Sequence, residues 1–136
     1  MRFYERLEPA VFVLRLVPGM RADIIPLLAP HYRALVLESF GVGGLPGGEH
    51  GEMFAALRRW CESGRLAVFT TQVPHEGCDL AVYEVGRAVG ELPGVLEARD
   101  MTPEAVAVKL MWALGQTEDR EKAARLFETP IEYDIM

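Results

Sequence analysis

The 136-residue sequence lacks the features that mark membrane proteins and nucleic-acid-binding proteins. No apolar run approaches the ~20 residues that a membrane-spanning helix requires. Residues 1–9 interleave charged and apolar side chains, unlike a signal peptide. The net charge is −6 and the arginines are scattered singly or in pairs, whereas contact with nucleic-acid phosphates requires clustered Lys and Arg. We therefore expect neither a membrane nor a nucleic acid as a partner.

Cysteine and lysine are also scarce. Cys61 and Cys78 lie apart and neither belongs to a CxxC pair, so the two thiols form no disulfide framework. Reduced thiols of this kind are typical of a cytoplasmic protein. The only lysines, Lys109 and Lys122, fall in predicted C-terminal helices, away from the strand ends where α/β proteins bind ligands. A lysine base for catalysis is therefore not expected.

What the sequence does contain is an alternation of apolar strand-like runs and helical patterns. Half of the residues are apolar and a quarter are charged, as in an ordinary globular domain with one core. Strands that alternate with helices predict a parallel sheet covered on both faces. We expect an α/β fold, a three-layer α/β/α sandwich with a small, mainly parallel, four-stranded Rossmann-like sheet. The predicted strands span 11–17, 33–38, 66–71 and 95–98, and the predicted helices span 21–28, 50–63, 80–89, 102–114 and 118–127.

Polar side chains follow the apolar residues of two predicted strands. Glu38 and Ser39 come after the apolar residues of the second strand, and Thr71 and Gln72 come after those of the third. Because the carboxyl ends of parallel strands share one edge of a sheet, these side chains are predicted to form a ligand-binding edge. Carboxylate, hydroxyl and amide groups suit a small polar ligand such as an amino acid. The alternative is that the hydroxyls, with that of Thr102, only cap helices and hold loop backbone.

The glycines after the second strand match part of a dinucleotide-binding loop. Gly41 and Gly43 fit the first two positions of the G-x-G-x-x-G fingerprint, but the third position is Pro46. Gly47 and Gly48 then delay the helix that should open at this point. The loop is therefore interpreted as a tight backbone turn, and no nucleotide or other cofactor is expected.

No spacing typical of a nucleophile–base pair or of a metal site is present. A threonine or serine nucleophile needs a nearby base, and His50 and His75 fall in predicted loops without a Ser-His-Asp arrangement. The run that contains His75, Glu76, Cys78 and Asp79 has no recognised ligand spacing. We therefore expect no catalytic residue and no metal ligand in this chain.

Five short segments occur in order along almost the whole chain. They are Val-Leu-Glu-Ser-Phe-Gly-Val-Gly-Gly-Leu-Pro (36–46), Thr-Thr-Gln (70–72), Tyr-Glu-Val-Gly-Arg (83–87), Arg-Asp-Met-Thr-Pro-Glu-Ala (99–105) and Lys-Leu-Met-Trp-Ala-Leu-Gly-Gln (109–116). Together they closely resemble the C-terminal domain of cytoplasmic, type I-like L-asparaginases. Five ordered segments make this resemblance far more specific than any one of them alone.

The resemblance implies part of an amidohydrolase that converts L-asparagine to L-aspartate and ammonia. In that family the nucleophilic threonine lies in a Gly-Thr-Gly-Gly-Thr-type segment of the N-terminal domain, and no such segment occurs here. Residues 1–9 are then the remnant of an interdomain linker, and residues 10–136 are the C-terminal α/β domain. This domain is expected to contribute contacts of a homodimer or homotetramer and part of the active-site surroundings, and to be inactive alone.

The resemblance also bears on the predicted edge and leaves two alternatives. Glu38, Ser39, Thr71 and Gln72 would lie beside an active site formed largely by an N-terminal domain. Some members bind asparagine allosterically through an arginine, but the corresponding position here is Glu38, so allosteric binding is not expected. One alternative is a free-standing domain that senses an amino acid at this edge. The other is a domain of an asparaginase-like tRNA amidotransferase subunit.

Overall fold

The computed structural model describes residues 6–39, 45, 51–71, 89–98 and 101–130, in which strands alternate with helices. The strands are β1 (Val11–Arg15), β2 (Ala34–Ser39), β3 (Leu66–Thr71) and β4 (Val95–Glu97). The helices are α1 (Ile24–Leu28), α2 (Glu52–Glu62), α3 (Pro103–Gln116) and α4 (Arg120–Glu128). The predicted α/β fold is confirmed. The helix predicted over 80–89 lies outside the described residues except for Val89, which is helical.

The four strands form one sheet in their sequence order, β1-β2-β3-β4, and each neighbouring pair is parallel. The first three strands begin level with one another, because Val11 pairs with Ala34 and Ala34 pairs with Leu66. A sheet wound in sequence order with right-handed crossovers carries its connecting helices on one face. α1 and α2 pack on one face of the sheet. The two helices that come after β4 cover the other face; they are α3 and α4.

Two apolar cores, one on each face of the sheet, hold the three layers together. Alternate residues of β2 supply both cores. Leu35 and Leu37 pack towards α1 and α2 in what we call the first core, whereas Val36 packs towards α3 and α4 in the second core. All three side chains are fully buried. Burial on both faces explains why β2 is an unbroken apolar run rather than an alternation of apolar and polar residues.

The ends of the long helices follow local capping rules. Thr102 precedes α3, and its Oγ1 accepts a hydrogen bond from the backbone N–H of Ala105 at 3.2 Å, as expected of an N-cap residue. α2 ends shortly before Gly64, which adopts φ of +93°, a conformation that other residues rarely adopt. In the described part of the chain, no helix is long and apolar enough to cross a bilayer. These caps fix where α2 and α3 reach the two edges of the sheet.

Candidate functional site

β2 and β3 end level with each other, at the edge where the sequence predicts a ligand site. Glu38 is paired with Thr70, and Ser39 is paired with Thr71. We call these strand ends the carboxyl edge. The structure thus brings three of the four predicted site residues to neighbouring positions on adjacent strands. The side chain of Thr71 and all of Gln72 lie outside the described residues.

Ser39 is fully buried, and its hydroxyl already has a partner. Its Oγ donates a hydrogen bond to the carbonyl oxygen of Thr70 on β3 at 3.0 Å. This bond ties the two strand ends together and satisfies a hydroxyl that would be costly to bury alone. Ser39 lies on the same face of β2 as Leu35 and Leu37, below α1 and α2. Its described role is therefore to fix the geometry of the carboxyl edge.

Glu38 lies on the opposite face of β2, the face covered by α3. The strand register places it between Arg15 of β1 and Thr70 of β3, and its side chain is half-buried. Its backbone carbonyl accepts a hydrogen bond from the N–H of Leu16 at 2.9 Å, which keeps β1 and β2 aligned up to the edge. A carboxylate held between a guanidinium position and a hydroxyl position can accept hydrogen bonds from an ammonium or amide group of a ligand.

The described residues contain candidate nucleophiles and bases, but none of them forms a catalytic pair. Cys61 is buried in the first core, and burial raises the pKa of its thiol to about 11, while Arg120 lowers this pKa and Glu62 raises it. A thiol with such a pKa stays protonated and unreactive at neutral pH. Lys109 is buried between α3 and α4, and its Nζ donates to the carbonyl of Thr129 at 2.7 Å.

In the described ranges, no histidine and no group of metal ligands lies at the carboxyl edge. His31 precedes β2 and so lies at the opposite end of the sheet, while His50 and His75 lie outside the described residues. Within the ranges that the structure describes, no three His, Cys, Asp or Glu side chains are grouped as metal ligands would be. The described part of the carboxyl edge presents the Glu38 carboxylate and a strand end held by Ser39, an arrangement that can bind or position a ligand.

Two concavities lie at the other end of the sheet, which we call the amino edge. A depression of about 320 Å³ is lined by the segments that precede β2 and β3, together with Leu114, Glu118 and Arg120. A second depression, of about 450 Å³, adjoins it and is lined by residues 6–8, Arg33 and residues 114–118. The sequence analysis placed no functional residue at this edge.

Three arginines at the amino edge each bind a carbonyl at the C-terminal end of a different helix. Arg65 donates from Nη2 to Ala29 after α1 at 2.7 Å, and Arg120 donates from Nη1 to Cys61 in α2. Arg33 donates from Nη1 to Leu114 in α3 at 3.2 Å. Helix C-termini carry partial negative charge and unpaired carbonyls, so these guanidinium groups stabilise the fold. The acceptors are main-chain carbonyls far away in the sequence, so no residue pattern signals these contacts.

Comparison with known proteins gives one family for most of the chain. The sequence model of the Glutaminase/Asparaginase C-terminal domain matches residues 10–127. An L-asparaginase of Thermococcus kodakarensis is 38% identical over 133 residues, which are 98% of this chain and 40% of that protein. A Glutamyl-tRNA(Gln) amidotransferase subunit from Metallosphaera sedula is 36% identical over 125 residues, which are 91% of this chain and 27% of that protein. The chain therefore spans less than half the length of these relatives.

Solved structures give the same assignment at the level of the fold. The structure of the thermostable L-asparaginase from Thermococcus kodakarensis matches with a TM-score of 0.87 at 38% identity, over 96% of this chain and 39% of that one. L-asparaginase I from Vibrio cholerae matches with a TM-score of 0.82 at 28% identity, over 95% of this chain and 38% of that one. In both cases the present chain corresponds to one part of a longer polypeptide.

Proposed function

Because this chain belongs to the Glutaminase/Asparaginase C-terminal domain family, we propose that it acts as the C-terminal domain of an L-asparaginase. The full protein would hydrolyse L-asparagine to L-aspartate and ammonia. The observation that carries this proposal is the match to the Thermococcus L-asparaginase, which is 38% identical over 98% of this chain. The resemblance of the five ordered sequence segments favours the same function.

In this proposal the chain forms part of the wall of the active site, and another domain supplies the nucleophile. The sequence contains no Gly-Thr-Gly-Gly-Thr segment. In the described residues, the Cys61 thiol is buried in the core beneath α2, and the Lys109 ammonium donates to the carbonyl of Thr129 after α4. We therefore infer that residues 10–136, isolated from that domain, do not hydrolyse asparagine. A buried, reduced thiol at Cys61 also supports a cytoplasmic location.

The carboxyl edge is the part of this chain that we assign to the active-site surroundings. Glu38 offers a carboxylate, and Ser39 fixes the strand end on which that carboxylate sits. The sequence prediction that Thr71 and Gln72 belong to the same site is kept as part of this proposal. Because a domain of this kind presents only one wall of a site, we propose that a homo-oligomer, a dimer or a tetramer, completes it.

Ammonia release by the full-length gene product tests the proposed role of the edge. We expect Glu38→Gln to lower kcat/KM for asparagine by roughly 10-fold, because a lost charged hydrogen bond costs about 1.5 kcal/mol. Arg58→Ala, on the exposed face of α2, is the matched control and should leave kcat/KM unchanged. If Glu38→Gln, Arg58→Ala and the unmodified protein had equal kcat/KM, Glu38 would not be part of the site.

A second function is favoured by the similarity to the Metallosphaera amidotransferase subunit. In that case the chain would be a domain of a subunit that supplies ammonia for amidation of a charged tRNA. The same assay separates the two functions. Hydrolysis of free asparagine without any other macromolecule supports the asparaginase, whereas ammonia release that appears only with glutamyl-tRNA present supports the amidotransferase.

A further inference from the structure

The depression of about 320 Å³ at the amino edge gathers three half-buried arginines, and we call it the arginine pocket. The sequence holds 20 Asp and Glu residues but only 14 Lys and Arg residues, so acidic side chains outnumber basic ones. Arg33, Arg65 and Arg120 nevertheless line this one concavity together. Among the described residues that line it, the exposed Glu118 supplies the only carboxylate. The arginine pocket is therefore locally basic in an acidic chain.

Two of these arginines have no carboxylate as a partner within the described ranges. Only Arg33 lies within ion-pair distance of one, and that contact is loose, with 3.7 Å between its Nη1 and Oε2 of Glu8. A half-buried charge is stabilised by an opposite charge, because burial takes away part of its hydration. A ligand with negatively charged oxygens would give Arg65 and Arg120 such a counter-charge.

The guanidinium groups of Arg33 and Arg120 also have N–H donors to spare. Each guanidinium group carries five of them. In the described part of the chain, Arg33 donates one hydrogen bond, to the carbonyl of Leu114, and Arg120 donates one, to the carbonyl of Cys61. Charged N–H groups form their strongest hydrogen bonds with the oxygens of carboxylates and phosphates.

Arg65 is held in a fixed orientation at the wall of the arginine pocket. It donates from Nε to the carbonyl of Tyr32 at 3.1 Å, from Nη2 to that of Ala29 at 2.7 Å, and from Nη1 to the hydroxyl of Ser63 at 2.6 Å. Its Cζ lies 5.3 Å from the centre of the Trp60 ring, within the range of a cation–π contact. A side chain that is already ordered loses little further freedom when it binds a ligand, which favours affinity.

Negative charge around the arginine pocket offsets only part of this positive charge. The C-terminal ends of α1, α2 and α3 meet the arginines, and each carries about half an elementary charge, so together they offset about half of the charge of three guanidinium groups. The carboxylate of Glu118 is exposed and screened by water and salt. Glu8 lines the neighbouring depression rather than this one.

The size of the arginine pocket and its donors define the class of ligand. A volume of about 320 Å³ suits a small molecule. The fork of a guanidinium group matches two oxygens of a carboxylate or of a phosphate. We propose that the arginine pocket binds a small oxyanion with two negative charges, a phosphate or a dicarboxylate, through Arg33, Arg65 and Arg120. This site goes beyond the proposed function, since no step of asparagine hydrolysis enters it.

Titration of the isotope-labelled 136-residue chain, followed by NMR at constant ionic strength, tests the proposal. We expect inorganic phosphate, L-aspartate or both to bind saturably, with a Kd of roughly 1 mM or lower. The amides of residues 29–33 and 63–66 and the side-chain Nε–H groups of the three arginines should shift, while the amides of Glu38 and Ser39 should not. Binding of phosphate alone identifies a phosphate as the ligand class, and binding of aspartate alone identifies a dicarboxylate.

A matched ligand and a matched variant isolate the charges. L-asparagine has nearly the shape of L-aspartate but lacks its second carboxylate, so it should bind the arginine pocket at least roughly 10-fold more weakly than the better of the two anions. Arg120→Gln should raise the Kd of that anion by roughly 10-fold. Arg125→Gln removes the same charge from an exposed position of the same helix that does not line the arginine pocket, and should leave the Kd unchanged.

Four outcomes would overturn the proposal. They are shifts that do not saturate for either anion, shifts centred on the carboxyl edge, binding of asparagine as tight as that of the better anion, and equal Kd values for Arg120→Gln and Arg125→Gln. The first three are measured on the unmodified chain, so the proposal can be refuted even if Arg120→Gln does not fold. None of these measurements uses activity, so they leave the asparaginase assignment to be decided by ammonia release.

Discussion

Substitution of Gly115 by alanine is predicted to destabilise this protein, although the same change stabilises most helices. Alanine is favoured over glycine inside a helix by about 0.5–1 kcal/mol, because glycine loses more backbone entropy on folding. Gly115 is the second-last residue of α3, so helix propensity alone predicts a gain in stability. Residues 6–9, which we call the strap, precede β1 and pack against the end of α3, where the backbone N–H of Glu8 donates to the carbonyl of Met111 and Gln116 donates to the carbonyl of Arg6. A Cβ atom on Gly115 would overlap the carbonyl oxygen of Arg6, so this packing predicts the opposite sign.

The size of the loss can be worked out from the contacts. The added methyl group would lie 2.7 Å from the carbonyl carbon of Arg6, whereas carbon atoms pack best at about 3.5–4.0 Å. The strap must therefore move by roughly 1 Å, which breaks its hydrogen bonds from the Glu8 N–H to Met111 and from Gln116 to Arg6. Two such bonds contribute about 2 kcal/mol. After the helix-propensity gain is subtracted, Gly115→Ala should lower the free energy of unfolding by about 1–1.5 kcal/mol.

Urea denaturation measures this change, and a deletion supplies the control. In a chain without residues 1–8 the overlap is absent, so Gly115→Ala should there raise the free energy of unfolding by up to about 1 kcal/mol. Exchange of the Glu8 amide should also accelerate in the full chain when Gly115 is replaced. A stabilising effect of Gly115→Ala in the intact chain, or the same effect with and without residues 1–8, would refute the packing of the strap on α3.

Three further predictions concern the two edges and the first core. Measured by urea denaturation, Arg65→Lys should lower the free energy of unfolding by about 2 kcal/mol, because an ammonium cannot replace the guanidinium hydrogen bonds to Tyr32, Ala29 and Ser63. The control Arg58→Lys, at an exposed position of α2, should leave the free energy of unfolding unchanged. Ser39→Ala should cost about 1 kcal/mol by the same method, through loss of the bond to Thr70, and an unchanged value would contradict that bond. For Cys61, the unfolded thiol ionises above pH 9.0 while the folded thiol stays protonated up to about 11. The stability it contributes is therefore fully present below pH 9.0 and is lost as pH rises towards 11, by about 2–3 kcal/mol relative to Cys61→Ala. Parallel pH profiles of the two proteins would contradict the burial of the thiol.

The sheet and its helices could be predicted from the sequence because their causes are local. Residues 66–69 form a short apolar run that two β-branched threonines extend to strand length, and β3 occupies residues 66–71. Thr102 followed by Pro103 marks the start of α3, and Gly64 marks the end of α2, since capping depends on residue type and backbone conformation. The predicted strand over 11–17 ends two residues early, at Arg15, shortly before the chain turns at Gly19 with φ of +80°.

The amino edge could not be predicted because its contacts join distant parts of the chain. Arg33 and Leu114 are separated by 81 residues, and Arg120 and Cys61 by 59. The acceptors are main-chain carbonyls, which no residue type reveals. Gly115 gives no signal either, since a glycine near the end of a helix is ordinarily interpreted as a cap rather than as space for another segment.

The carboxyl edge could be predicted in part from the sequence. The meeting of Glu38 and Ser39 with the end of β3 follows from parallel register, and the structure confirms that meeting. The partners of each side chain depend on which face it occupies, so Ser39 enters the first core while Glu38 stays half-buried on the other face. The role of Glu38, Ser39, Thr71 and Gln72 beside an active site remains a prediction.

The most direct test of the central claim is ammonia release from L-asparagine by the purified 136-residue chain beside its full-length gene product. The two should be compared at equal molar concentration, with circular dichroism to establish that the shorter chain is folded. We predict hydrolysis by the full-length protein and none above the uncatalysed rate by the folded 136-residue chain. Robust turnover by that chain alone would contradict the claim that catalysis belongs to another domain.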